Sequence, residues 1–184
     1  MRCGVEYLVL SDSHGKAARL ISVLEQLTFR PAAILFLGDG LRDLQLIEED
    51  ARFRDIPIYA VRGNCDSFTV GCEGVPEERV LCVGEHRILM LHGHRCGTHF
   101  GEGGLIACAH ANRADIVLYG HTHLARETTV PVGTPLSDGS CLTAPLLLAN
   151  PGSIGQPRDG SVGRFGVLTI QAGGVLFSHG SCLT

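Results

Sequence analysis

The sequence of 184 residues predicts an α/β fold. In its first third, short apolar runs alternate with amphipathic segments, which is the pattern of parallel strands joined by crossover helices. Later apolar runs flank "VGEH" as the strands of a hairpin do, so antiparallel strands extend the sheet. Because 45% of the residues are hydrophobic, this length suffices for one full core, and we expect a single domain over residues 1–184.

The first third of the chain repeats a strand, a loop and a helix. An apolar strand over 5–10 precedes a helix over 16–27, in which apolar side chains recur at helical spacing. A second strand, in "AAILFLGDG", precedes a helix over 41–53 with its own apolar face. The segment "IPIYAVRGNCD" supplies the third strand and its loop.

The rest of the chain is richer in strands. After the hairpin in "ERVLCVGEHRILMLHGH", residues 101–113 predict a helix that Gly103 and Gly104 weaken. The segment "ADIVLYGHTH" is the next strand and loop. Residues 131–145, rich in Pro, Gly, Ser and Thr, predict an exposed loop. Strands are also expected in "LARETTV", "LTAPLLLANPGS", "GRFGVLTI" and "GVLFSHG".

Composition excludes several classes of function. The net charge is −4 and no run of lysine or arginine is present, so a long nucleic acid is not an expected partner. No stretch approaches the roughly 18–20 apolar residues of a membrane span and no export signal opens the sequence, so we expect a cytoplasmic protein. The eight cysteines lack CxxC spacing, so we expect reduced thiols, with Cys3, Cys82 and Cys108 packed as small apolar side chains.

Five of the predicted strands end in polar loops that contain possible metal ligands. Because ligands bind beyond the carboxyl ends of strands in open α/β sheets, these loops should converge. Mixed nitrogen and oxygen donors favour manganese, iron or zinc, and the set exceeds the roughly four to six ligands of one ion. Two ions that share a carboxylate are therefore expected. The candidates are Asp12, His14, Asp39, Asn64, Cys65, Asp66, His92, His94, His121 and His123.

As an ordered set, "DSH", "GD", "GNCD", "HGH" and "GHTH" resemble the motifs of the calcineurin-like metallophosphoesterase superfamily. "GNCD", the short chain and "NPGS" at 150–153 are similar in particular to the YfcE-like bacterial phosphodiesterases. The resemblance spans residues 10–153 and implies a four-layer α/β/β/α sandwich of two mixed β-sheets. It also implies two divalent metal ions, manganese above all, with zinc, iron or nickel as alternatives.

The resemblance further implies a role for each ligand. One ion would be bound by Asp12, His14 and His123. The other would be bound by Asn64, His92 and His121, and Asp39 would bridge the two ions. A hydroxide that bridges the metals would then hydrolyse phosphodiester bonds of small substrates.

Three residues are candidates for catalysis. Asn64 would offer an amide donor to the phosphate. His94 would contact the phosphate or donate a proton, with a supporting hydrogen-bonding role as its alternative. Cys65 departs from the superfamily, which commonly has histidine there, and a thiol pKa of about 8.5 suits acid catalysis near neutral pH less well than an imidazole pKa of about 6.5. This fits either a preference for activated esters or a mechanism in which His94 or water supplies the proton.

Two questions stay open at this point. A subunit of the retromer complex resembles this fold with an altered metal set and serves assembly, so a protein-binding scaffold is the alternative function. The presence of all seven predicted ligands favours the hydrolase of a small phosphoester. The oligomeric state is undecided, with a homo-oligomer as one alternative, and the loop 131–145 covers either the cleft or a partner.

Overall fold

Two mixed β-sheets of five strands each form the centre of the protein. The computed structural model describes residues 4–68, 72 and 74–183, and these contain ten strands. In chain order they are β1 (Val5–Leu10), β2 (Ala33–Phe36), β3 (Ile58–Ala60), β4 (Glu78–Val83), β5 (His86–Leu91), β6 (Ile116–Tyr119), β7 (Ala125–Val130), β8 (Leu146–Pro151), β9 (Arg164–Gln171) and β10 (Gly174–Ser181).

Both sheets combine a parallel centre with antiparallel flanks. The first sheet has the order β10-β9-β1-β2-β3, and the second has the order β4-β5-β6-β8-β7. Strands β1, β2 and β3 are parallel, as are β5, β6 and β8. Strands β9 and β10 form a hairpin beside β1, and the edge strands β4 and β7 are antiparallel to their neighbours. The carboxyl ends of the parallel strands therefore gather at one end of each sheet.

The described part of the chain contains three α-helices, α1 (Ala17–Gln26), α2 (Gln45–Glu49) and α3 (Gly103–Asn112). The helix expected over 41–53 is instead a 3₁₀ turn, Leu41–Leu44, followed by the short α2. Asp50 ends α2, because its backbone is extended and its carboxylate accepts the N–H of Arg52 at 2.9 Å. Such a local side-chain hydrogen bond competes with continuation of the helix.

Alternation of side chains along the strands produces four layers. Val9 of β1 and Met90 of β5 belong to the apolar core between the sheets. Leu8, on the other face of β1, packs in a second cluster with Leu20 of α1. A third cluster lies between the second sheet and α3, where Leu105 is buried. The predicted α/β/β/α sandwich is confirmed.

The predicted loop 131–145 is exposed over most of its length. It joins β7 to β8, and the register pairs Val130 with Leu146 and Ala125 with Pro151. The loop therefore lies at the amino end of β8. At ~3.3 Å per residue, the length of that strand, about 17 Å, separates it from the carboxyl ends of the parallel strands.

The described cysteines other than Cys72 are free thiols. Cys108 packs half-buried in the cluster beneath α3, as predicted. Cys82 is exposed, which corrects the prediction for it: β4 is an edge strand, and none of its side chains is buried. Cys3 lies outside the described residues. Among the helices of the described ranges, none has the length and apolarity that a bilayer span requires.

Candidate metal centre

Polar loops from both sheets meet at one end of the molecule. His14 follows β1 and His123 follows β6 of the other sheet, and their Nε2 atoms lie 3.1 Å apart. His92, directly after β5, places its Nε2 atom 3.3 Å from Oδ2 of Asp39, which follows β2. The expected convergence of these loops is therefore present.

The two oxygens of the buried Asp12 carboxylate have different surroundings. Oδ2 accepts hydrogen bonds from Ser11 Oγ and from the N–H of His121. Oδ1 has no hydrogen-bond partner among the described residues, although it is fully buried. It lies 3.2 Å from Nε2 of His123 and 3.7 Å from Nε2 of His14. Oδ1 is thus directed at the imidazoles.

Backbone carbonyls orient two of these imidazoles. Nδ1 of His92 lies 2.7 Å from the carbonyl oxygen of Leu37, and Nδ1 of His123 lies 2.7 Å from that of Gln156. A carbonyl oxygen can only accept, so each Nδ1 carries a proton, and each ring in its neutral form presents a lone pair at Nε2. These lone pairs point at the carboxylate of Asp12 or Asp39. Facing acceptors repel one another unless a cation or a proton lies between them.

The donor set fits divalent metal ions. Nε2 of His92, like Oδ1 of Asp12, is buried without a hydrogen-bond partner in the described ranges. Three groups have possible ligand atoms within 4.8 Å of one another, and Asp12 and Asp39 each belong to two of them. Shared carboxylates of this kind can serve two adjacent ions, and carboxylate with imidazole suits manganese, iron or zinc. The groups are Asp12 with His14 and His123, Asp12 with Asp39 and His92, and His14 with Asp39 and Cys65.

Two predicted ligands lie at the rim of this centre. The ring centroid of His121 is 5.2 Å from that of His92, but His121 belongs to none of the three groups. Asn64 is exposed, and its amide nitrogen donates to Sγ of Cys65 at 3.3 Å. The ligand roles of Asn64 and His121 stay predictions.

Cys65 contacts the centre through its backbone and approaches it with its side chain. Its N–H donates to Oδ1 of Asp39 at 2.7 Å, and its Sγ atom is grouped with His14 and Asp39. Burial and the neighbouring Asp39 carboxylate raise the pKa of the thiol to about 12. The thiol is therefore protonated at neutral pH, and it is a weak acid.

The carboxylates at the centre are held ionised. Burial opposes the ionisation of Asp12, but the imidazoles of His123 and His14 keep its pKa well below the usual range. Burial likewise opposes the ionisation of Asp39, and His92 outweighs it, so that this pKa is also lowered. The Asp12 carboxylate in turn raises the pKa of His14. The protein residues thus create a locally negative cleft that attracts cations.

The pKa values of His94 and His121 are lowered, in contrast to that of His14. Burial and the nearby His92 lower the pKa of His121 to about 4 and also lower the pKa of His94. Nδ1 of His94 is buried without a hydrogen-bond partner among the described residues. Its ring centroid lies 5.5 Å from that of His92 and 6.1 Å from that of His121. His94 is therefore neutral near pH 7 and has hydrogen-bonding capacity to spare beside the cleft.

Backbone strain is concentrated in the same loops. Positive φ is uncommon for residues other than glycine, and such strain clusters at functional sites. In the described part of the chain six such residues are found, and five of them are predicted metal ligands. The five are Asp12, His14, Asp39, His121 and His123; the sixth, Arg113, follows the end of α3.

Asp66 ties the loops after β2 and β3 together. One of its carboxylate oxygens accepts the N–H groups of Asp39 and Gly63 at 2.7 and 3.0 Å. The other accepts those of Gly40 and Leu41 at 2.9 and 3.0 Å. A Cβ atom on Gly63 would lie 2.1 Å from Oδ1 of Asp39, so glycine permits this close approach. Asp66 therefore positions Asp39 and the two residues that follow it.

Sequence reasoning missed two residues of the site. Asp43 accepts hydrogen bonds from Ser13 Oγ and from the N–H of Gly15, and so holds the loop after β1. No signal pointed to it, because it lies in a segment with an ordinary helical pattern. His99 has its ring centroid 4.8 Å from that of His121. Its position five residues after "HGH" was the only available hint.

The family model and the relatives that match this sequence are all named as phosphoesterases. The calcineurin-like phosphoesterase superfamily domain matches residues 5–173. A protein of Bacillus subtilis (strain 168), named probable metallophosphoesterase YsnB, is 28% identical over 165 residues, which cover 89% of this chain and 83% of that protein. Phosphodiesterase YfcE of Escherichia coli (strain K12) is 32% identical over 119 residues, which cover 60% of this chain and 52% of that protein.

Solved structures share the architecture. A conserved predicted phosphoesterase from Streptococcus pneumoniae TIGR4 superimposes with a TM-score of 0.65 at 24% identity, covering 98% of this chain and 99% of that one. Vacuolar Protein Sorting 29 from Cryptosporidium parvum superimposes with a TM-score of 0.65 at 19% identity, covering 97% and 99% of the two chains. At these identities the likeness establishes the fold alone.

Proposed function

The chain belongs to the calcineurin-like phosphoesterase superfamily, and on that premise we propose that it is a metal-dependent phosphodiesterase of small substrates. The observation that carries the proposal is the meeting of unpartnered acceptor atoms from both sheets. Oδ1 of Asp12 and Nε2 of His92 are both buried, and neither has a hydrogen-bond partner in the described ranges. Catalytic metal ions would satisfy these atoms, whereas a purely structural site has no need to leave them unpaired.

We assign the metal ligands as the sequence motifs suggest. When bound, two divalent ions, of which manganese is our first choice, would supply a bridging hydroxide as nucleophile and positive charge against the phosphoryl oxygens. Zinc, iron and nickel are the alternatives. One ion would be held by Asp12, His14 and His123, the other by Asn64, His92 and His121, with Asp39 shared by both.

The charge of the metal-loaded centre would attract a phosphodiester. Two divalent ions together with Asp12, Asp39 and a hydroxide leave one net positive charge, and a phosphodiester carries one negative charge. The attraction grows as negative charge builds on the phosphoryl oxygens in the transition state. The net charge of −4 over the whole chain disfavours a long nucleic acid, so the substrate is a small diester.

The residues beside the cleft position the phosphate and supply little acid catalysis. His94 is neutral at pH 7, and its ring, beside those of His92 and His121, would offer a nitrogen to a phosphoryl oxygen. Asn64 offers amide donors from the opposite loop. Cys65, whose thiol pKa is raised to about 12, is a poor proton donor to an alkoxide. Esters with good leaving groups should therefore be cleaved fastest.

The alternative function is that of a protein-binding scaffold. It is suggested by the shared fold of Vacuolar Protein Sorting 29, at 19% identity. A scaffold has no need for buried acceptor atoms directed at one point, and so we place it second. We expect the protein in the cytoplasm, since its described cysteines other than Cys72 are free thiols.

The test is to strip the protein of metal, add manganese, zinc, nickel or magnesium, and follow hydrolysis of bis(p-nitrophenyl) phosphate. Calorimetric titration should give two ions per chain. We expect Asp39→Asn to reduce kcat/KM about 100-fold or more. Asp55→Asn is the matched control, because Asp55 is exposed and precedes the amino end of β3, and it should leave activity unchanged.

Each outcome separates the two functions. Metal-dependent hydrolysis that disappears in Asp39→Asn supports the phosphodiesterase. Absence of both bound ions and hydrolysis would favour the scaffold, whereas two bound ions without hydrolysis of this substrate would indicate a narrow natural substrate. Hydrolysis that survives chelation and the Asp39 substitution would overturn the assignment of the centre.

A further inference from the structure

A second cavity adjoins the candidate metal centre. It has a volume of about 370 Å³, and we call it the arginine pocket. Small-molecule sites commonly begin at about 300 Å³, so the pocket is large enough for part of a small substrate. The residues that matter here are His99, Tyr119, Thr122, Leu124, Arg126 and Arg158.

The arginine pocket shares a wall with the metal centre. The ring of His99 in the pocket lies 4.8 Å, centroid to centroid, from the ring of His121. Thr122 lies between His121 and His123 in sequence and lines the pocket. A phosphodiester whose phosphate sits at the metal centre can therefore extend one of its two arms into the pocket.

The position of Arg158 is tied to the metal centre by its backbone. Its N–H donates to the carbonyl oxygen of His123 at 3.1 Å. Two residues earlier, the carbonyl oxygen of Gln156 accepts the Nδ1 proton of His123 at 2.7 Å. The N–H of Gln156 donates to Ser153 Oγ, which in turn donates to the carbonyl oxygen of Asp12. The loop that carries Arg158 is thus held against two of the predicted ligand loops.

The charges in the arginine pocket do not cancel. Nη2 of Arg126 lies 3.0 Å from Oε1 of Glu102, which also accepts a hydrogen bond from Thr128. Arg126 is therefore matched by a carboxylate. Arg158 forms no ion pair within the described ranges, and it is exposed. One positive charge is left for a ligand.

We propose that the arginine pocket binds an anionic arm of the substrate and that Arg158 is the residue that selects it. The substrate class is then a small phosphodiester in which one esterified alcohol carries a second negative group, a carboxylate or a phosphate. A guanidinium binds either group through paired hydrogen bonds. The inference rests on the proposed phosphodiesterase function, which it extends from the reacting phosphate to the alcohol.

The test compares two p-nitrophenyl phosphodiesters that differ only in one arm, which is butyl or 3-carboxypropyl. With manganese present, the wild-type protein should cleave the carboxylated diester with a kcat/KM about tenfold higher, mainly through a lower KM. Arg158→Gln should abolish this preference and leave cleavage of the butyl diester within about twofold. Arg54→Gln is the matched control, because Arg54 is exposed and precedes the amino end of β3.

If no diester is cleaved, a binding measurement that compares the same two arms still tests the arginine pocket. Calorimetric titration of the manganese-loaded protein with butyl phosphate and with its 3-carboxypropyl counterpart should show the same preference and its loss in Arg158→Gln. An equal response to both arms in the wild type, or a preference that survives in Arg158→Gln, would overturn the inference. Absence of hydrolysis with the binding preference intact would count against the proposed activity and not against the pocket.

Discussion

Two backbone carbonyls orient histidine rings of the metal centre so that one ring nitrogen of each can bind a cation. The carbonyl oxygens of Leu37 and Gln156 each accept a hydrogen bond from Nδ1 of a histidine, which leaves Nε2 of His92 and His123 to face a cation. The sequence shows the two histidines but not these carbonyls, because neither carbonyl belongs to a recognisable motif. Orientation of the ligands is therefore a property of the folded loops.

His121 should make the metal-free protein less stable in acid. Burial and His92 lower its pKa to about 4, against about 6.5 in an unfolded chain, so the native state favours the neutral ring. Its contribution is complete above pH 6.5 and is lost as the pH falls from 6.5 towards 4. Urea unfolding in EDTA should show the wild type losing stability relative to His121→Gln across this range. A difference that is constant with pH would contradict the assignment.

Asp66→Asn tests whether this carboxylate positions Asp39. Both carboxylate oxygens of Asp66 accept hydrogen bonds, four in all, from backbone N–H groups. The side-chain amide of asparagine would therefore place its own N–H donors against two of these backbone donors. We expect a loss of about 2–4 kcal/mol in the free energy of unfolding, together with weaker manganese binding. Denaturant unfolding and calorimetry measure the two effects. Asp55→Asn should change neither, and an unaffected Asp66→Asn would show that the loops hold their shape without the carboxylate.

At the scale of elements, the strand and loop pairs follow from sequence, and the details of the helices do not. Apolar runs at 5–10 and 116–119 predict strands with polar loops after them, as observed. The helix expected over 41–53 is shorter in the structure for two reasons. The distant Asp66 accepts the N–H of Leu41, which lies in a 3₁₀ turn, and Asp50 ends α2 through a local hydrogen bond. Side-chain contacts across the chain are not visible in periodicity.

The start of α3 provides a matched pair of glycines. A Cβ atom on Gly103 would meet nothing within 4 Å, whereas one on Gly104 would lie 2.0 Å from the carbonyl oxygen of Cys96. Gly103→Ala should therefore raise the free energy of unfolding by about 0.5–1 kcal/mol, and Gly104→Ala should lower it. Thermal and urea unfolding compare the two variants. Equal stabilisation by both would show that the turn after "HGH" moves away freely.

At the scale of the whole molecule, the packing of two sheets brings distant loops together. Asp12 and Asp39 come from the first sheet, and His92 and His123 come from the second. The same packing places the loop 131–145 at the far end of the second sheet. The sequence left open whether this loop covers the cleft, and the register of β7 with β8 answers that it does not.

Replacing residues 131–145 by a Thr-Asn-Gly-Thr turn should leave the metal centre intact. The pairing of Val130 with Leu146 permits a tight hairpin, and the loop lies about 17 Å from the carboxyl end of β8. Manganese affinity by calorimetry and kcat/KM for bis(p-nitrophenyl) phosphate should stay within about twofold. A tenfold loss of either in a variant that still folds would show that the loop acts on the site.

Apolar periodicity and short motifs are local properties, so they suffice to predict the order of strands and loops, the candidate ligands and the family. The tertiary structure decided which ligand atoms face one another, which backbone carbonyls orient them and where Arg158 stands relative to His123. It also showed that positive φ is concentrated at five predicted ligands, namely Asp12, His14, Asp39, His121 and His123. These features depend on contacts between residues far apart in the chain, and such contacts exist only after the two sheets have packed.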